Sequence, residues 1–120
     1  MIAFIEAKPN PITMLNSLRF PLNLKIHELQ LIATEFTNAK IELAKQSVIK
    51  ASEESKKVIN FPLKIVDILQ MQSKNKKWVA TFGIADVSHF GAGAMSGWVV
   101  LQFTKNKMKY YVTIAEIGNN

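Results

Sequence analysis

Asp67 is the residue of this chain with the clearest chemical potential. Alternation of apolar and polar residues from Leu63 to Gln72 sets it on the same side as Ile65 and Leu69, facing a core that also holds Phe82. A carboxylate in such a place is costly unless its pKa rises or a partner is found. Desolvated, and sharing its face with Tyr110, it has the makings of a general base. The ordinary alternative is a carboxylate at a strand bend or bulge, or one bonded to a backbone amide. Asp86, Ser88 and His89 bring an acid, a hydroxyl and an imidazole together, but too close along the chain for triad geometry and with no source of an oxyanion hole. His27 stands apart from any acidic cluster, so no metal site is expected, and no sequence motif calls for a cofactor. The glycines at 91, 93 and 97 do not form a nucleotide loop, because a strand rather than a helix follows them.

A second chemistry is carried by cations and aromatics. Lys77 and Lys109 fall on the polar side of alternating segments together with Gln70, Gln72, Trp98, Tyr111, Gln102, Thr81 and Thr113. Lys105 and Lys107, with Lys74 and Lys76, add charge at two turns. Lysines of this kind neutralise phosphates, and the two aromatic rings offer stacking surfaces to unpaired bases. Lysines on strands also keep sheet edges apart, and exposed aromatics equally mark a subunit interface.

Composition narrows the classes. The 15 Lys and Arg outnumber the 9 Asp and Glu, for a net charge of +6, which favours anionic partners. There is no cysteine, which removes disulfides, thiolate metal ligands and cysteine nucleophiles together. At 120 residues and 48% hydrophobic content the chain can bury a core as one domain, residues 1–120. No apolar run approaches the ~20 residues of a membrane span, and Met1 to Glu6 lacks the cationic lead of an export signal. The expectation is a cytoplasmic protein with no membrane partner.

The elements that must position these groups divide at Pro62. Ile2 to Ala7 can add an N-terminal strand, and Asn10-Pro11 opens a short helix through Ile12, Leu15 and Leu18. Residues 1–60 read as the helical half. From Leu24 to Asn60 a long amphipathic helix, or two in sequence, is expected on Leu29, Ile32, Phe36, Ala39 and Leu43, continued by Ala44, Val48 and Ala51. Pro62 ends it, and residues 63–117 read as antiparallel sheet. Two hairpins are expected, Leu63 to Gln72 with Lys77 to Asp86, and Gly97 to Thr104 with Met108 to Ile117. Two-residue turns then set Met71 opposite Trp78, and put Val99, Leu101 and Phe103 on one face with Met108, Tyr110, Val112 and Ile114.

This is an α+β order, a long helix packed on a four-stranded antiparallel meander. It resembles that of cystatin-like and nuclear-transport-factor-like folds. The resemblance is one of topology: where cystatins carry Gln-x-Val-x-Gly this chain reads Leu69-Gln70-Met71-Gln72-Ser73, and it has no Pro-Trp. The sequence therefore points first to a non-catalytic protein that binds single-stranded nucleic acid or another polyanion through Lys77, Trp98, Lys105, Lys107, Lys109 and Tyr111. The alternatives are a protein-interaction module that oligomerises through its sheet, and a small enzyme with Asp67 as base.

Overall fold

The architecture is set by one long hairpin at the centre of a sheet. In the computed structural model, which describes residues 18–84 and 95–117, β1 (Gln30–Thr34) is followed by α1 (Asn38–Glu54), α2 (Asn60–Gln72), β2 (Lys77–Gly83), β3 (Met95–Lys105) and β4 (Met108–Ile117). The fold is α+β, with an antiparallel sheet of order β1-β3-β4-β2 and both helices on one face. The expected N-terminal strand, the helix over residues 12–18 but for Leu18, and most of the glycine-rich connection lie outside the described residues.

The β3–β4 hairpin follows the sequence expectation. Lys105 pairs with Met108 across a two-residue turn, and Phe103, Leu101 and Val99 pair with Tyr110, Val112 and Ile114. Asn106 and Lys107 both have positive φ, 52° and 68°, the pattern of a type I′ turn whose twist matches that of its strands. Asn adopts that geometry readily; Lys107 does so at a cost. The inward row, with Trp78, Ala80 and Phe82 from β2, packs on Ala44, Val48 and Ala51 of α1 and on Phe61, Ile65, Ile68 and Leu69 of α2. Phe82 stacks on Phe103 and Tyr110 at 5.8 Å and meets the edge of Phe61 at 4.9 Å, so one group of rings joins α2 to three strands.

Three expectations are corrected. The helical stretch from Leu24 contains a strand: Leu29 to Thr34 suits either period, and backbone partners on β3 decide it. Thr34 Oγ1 donates to Trp98 O and accepts from Phe36 N, Glu35 N also donates to Trp98 O, and Thr37 then caps α1 by accepting from Lys40 N. Second, Pro62 opens a helix instead of closing one. It is the third residue of α2, where its missing N–H has no intrahelical partner to lose. Residues 63–72 are thus helical, the first expected hairpin does not form, and Lys74-Asn75 links α2 to β2. Buried Phe61, Ile65, Ile68 and Leu69 recur at four, three and one, the spacing of a helix face. Third, the sheet is not a meander, because β2 pairs with β4 and β1 closes the far edge beside β3.

Gly97 shows how closely the helix-side layer meets the sheet. It lies where β3 bulges against β4, with φ at 154°, and a Cβ there would come within 2.8 Å of the Phe36 ring. Gly97→Ala is expected to destabilise the fold by about 2–4 kcal/mol through backbone strain and overpacking. Urea unfolding checks this: the midpoint should fall while the slope stays the same.

Candidate interaction surface and the buried ion cluster

The strand alternation places most of the expected binding residues on the sheet face turned away from the helices. Following the pairs across β2, β4 and β3, that face carries Lys77 beside Ile117, then Val79, Ala115 and Trp98, then Thr81, Thr113 and Val100, then Gly83, Tyr111 and Gln102, and last Lys109 with Thr104. Gln102 Nε2 donates to the Tyr111 hydroxyl at 3.0 Å, fixing that ring in place. Trp98 and Tyr111 are half-buried, Lys77 and Lys109 are exposed, and Val100, Thr113 and Ala115 between them are buried. Gln70 and Gln72, expected on this face, belong to α2.

Lys77 is set apart from the other expected lysines. Lys77 is level with Ile117 and Lys109 lies eight positions earlier on β4, which at 3.4 Å per residue separates them by about 27 Å. Lys105 follows the inward parity of Phe103 and lines a small cleft with Leu18, Arg19, Pro21, Leu22 and Asn106, while Lys107 sits in the turn itself. The hairpin end therefore gathers Arg19, Lys105, Lys107 and Lys109. Among the described residues, none of these four makes an ion pair.

Asp67 is exposed on α2 and lines an open cleft with Glu54, Ser55, Lys56, Asn60, Leu63 and Lys64. Tyr110 is in the core, stacked on Phe103 at 5.6 Å, and its burial raises its pKa. The base-and-tyrosine pair expected from strand parity is therefore not formed, because the parity was that of a helix. His27 is an exposed residue of a short 3-10 turn, and Asp86, Ser88 and His89 lie outside the described residues. Among the described residues no three His, Asp or Glu side chains gather as a metal site would require.

Among the described residues the buried carboxylate is Glu116, only 1% exposed. It continues the inward row of β4 beyond Ile114 and pairs across the sheet with Trp78. Lys40, from the first turn of α1, bonds to its Oε1, and Lys76, just before β2, lies 2.9 Å from its Oε2. The Lys40 ammonium also stands over the Phe36 ring at 5.7 Å, and Phe36 meets Trp78 edge-on. Burial alone pushes the Glu116 carboxyl up, but the two lysines outweigh it and hold the pKa below the ordinary carboxylate value. The parity that points Tyr110, Val112 and Ile114 inward extends to Glu116, so this carboxylate could have been found from the sequence.

Comparison with protein-family models, with curated proteins and with solved structures finds no match.

The lowered pKa of Glu116 fixes the sign of a pH dependence. Its ion pairs stabilise the fold above the unfolded-state carboxylate range near 4.5, and that contribution is lost as pH falls through the lower folded-state value. Glu116→Gln is expected to cost about 2 kcal/mol at pH 7, the scale of a charge-assisted hydrogen bond, and to flatten the acid limb of stability against pH. Denaturant midpoints measured from pH 7 to pH 3 test both; an unchanged acid limb would assign the acid sensitivity elsewhere.

Proposed function

We propose that this chain is an interaction and assembly module that works through its sheet. The observation that supports it is the charge pattern of the outer face. From the row of Trp98 to the row of Tyr111, strands β2, β4 and β3 carry only uncharged side chains, with Lys77 at one end and Lys109 at the other. A neutral centre with aromatic flanks and a charged rim is the pattern of protein interfaces, whose cores are depleted in charge and enriched in Tyr and Trp. Leu31 and Ile32 on β1 and Leu63 and Met71 on α2 are apolar side chains open to solvent that a partner would cover.

A second reading, binding of single-stranded nucleic acid or another polyanion, is favoured by the cations at the β3–β4 turn. Arg19, Lys105, Lys107 and Lys109 offer positive charge with no carboxylate in ion-pair contact among the described residues. Trp98 belongs to the other end of the sheet, seven residues before Lys105 on β3, which at 3.4 Å per residue is about 24 Å away and beyond stacking reach of a base held at the turn. Contact with a polyanion would then be mainly electrostatic.

Light scattering over a range of protein concentrations tests the first reading. The expected result is a mass above that of one chain, lowered by Trp98→Ala. A single-chain mass at every concentration would overturn self-assembly. In parallel, an oligonucleotide titrated at two salt concentrations tests the second: Lys107→Ala with Lys109→Ala should weaken binding and reduce its salt slope by about 2 if each meets a phosphate. Binding that is absent, or indifferent to salt, removes that reading.

A further inference from the structure

We infer that copies of this chain join edge to edge, β2 of one against β1 of the next, so that the sheet continues from molecule to molecule. The inference rests on the assembly reading and names its partner as a second copy. Neither β1 nor β2 has a strand on its outer side among the described residues, since β1 pairs only with β3 and β2 only with β4. An edge strand leaves backbone N–H and C=O groups unpaired, and the chemistry that satisfies them is another extended strand. β1 has no charge and no proline within it, and its Leu31 and Ile32 are 45% and 42% exposed.

Direction favours a second copy. β1 is antiparallel to β3, β3 to β4 and β4 to β2, so β1 and β2 of one molecule run in opposite senses. A neighbour laid beside the first with its helices on the same side therefore presents β1 antiparallel to β2.

Register and charge agree with this. Glu35 extends β1, its N–H donating to Trp98 O at 2.9 Å, and both it and Lys77 are exposed at the same end of the sheet. Setting Lys77 of one copy opposite Glu35 of the next joins a cation to an anion across the edge. Trp78 then meets Thr34 on the helix side and Val79 meets Ala33 on the outer side. Between Leu31 and Ala33 the existing β1–β3 pairing shifts register at Ile32, and the same shift keeps Ala80 with Leu31 and Thr81 with Gln30. Each pair so formed has both members on one face. Pairing of like edges lacks this match: β1 against β1 turns Glu35 toward the end that follows Glu28, and β2 against β2 sets Lys77 near Gly83. Two different edges make a heterologous contact, and a sheet twisting by about −20 to −25° per strand turns roughly −90° per four-stranded copy, so the assembly is an open, twisted row.

The absence of cysteine makes the contact easy to test, and Glu35 and Lys77 are both exposed. Full-length Glu35→Cys and Lys77→Cys chains are mixed under mild oxidation. The expected product is a disulfide between one chain of each kind, with little product from either alone, and a ladder of multiples from the double variant. Glu35→Lys and Lys77→Glu should each lose the higher masses in light scattering, and an equimolar mixture should regain them. Self-linking of the Glu35→Cys chain, or no link in the mixture, overturns the pairing. A mass above one chain that depends on Trp98 but shows no link in the mixture sinks this contact and leaves the assembly reading standing; a single-chain mass throughout removes both.

Discussion

The ladder between β3 and β4 is the constraint on which the rest of the structure depends. These are the two central strands, so each of the other layers is located by them: β1 along one side, β2 along the other, and both helices over the face that holds Val99, Leu101, Phe103, Tyr110, Val112 and Ile114. A slip of one residue would exchange that row for Trp98, Val100, Gln102, Tyr111 and Thr113, leaving the helices against polar groups. The Asn106-Lys107 turn prevents the slip by fixing which residues face each other at its base. Its positive φ at a lysine is a local strain that the long ladder tolerates.

At the other end of the same ladder, a buried charge does what apolar packing does near the turn. Glu116 is enclosed, yet its two lysines come from different places, one at the start of α1 and one between α2 and β2. Both lysines remain partly exposed, so their own desolvation is incomplete while the carboxylate gains two cations. The consequence is positional: the helix that follows β1 and the strand that follows α2 are tied to one side chain on β4. An apolar residue at 116 would fill the space without selecting that arrangement.

The parts of this fold legible in the sequence are those in which a single period is satisfied. The last hairpin alternates without interruption and carries an Asn in its turn, so its register, its inward row and its outer row all follow. Ala44, Val48 and Ala51 likewise mark the buried side of α1. Errors arise where two periods coincide. Ile65 and Leu69 are four apart, which serves both a strand of alternate residues and a helix turn, and Pro62 reads as a stop or a start depending on that choice. Asp67 was the symptom: a strand required its carboxylate in the core, whereas a helix leaves it in water. The same ambiguity hid β1 inside a helical stripe, and with it an edge of the sheet. No local signal marks β1, because it is selected by partners on β3, 64 residues further on where Thr34 Oγ1 donates to Trp98 O.

Charge bears on assembly in a way that composition alone does not convey. A net charge of +6 opposes the approach of identical molecules, and lysines at strand ends are a common defence of sheet edges. Here Lys76 is engaged by Glu116, so the charge it would lend to the start of β2 is partly neutralised within the molecule. Lys77 remains, on the outer face and next to the edge. Across the sheet, the exposed carboxylate nearest the end of β1 is Glu35, so the two edges differ in sign where they would meet. A lysine that finds only Gly83 in a copy presenting β2 finds a carboxylate in one presenting β1. Preference for the unlike edge is then electrostatic, and salt weakens it because both groups are exposed.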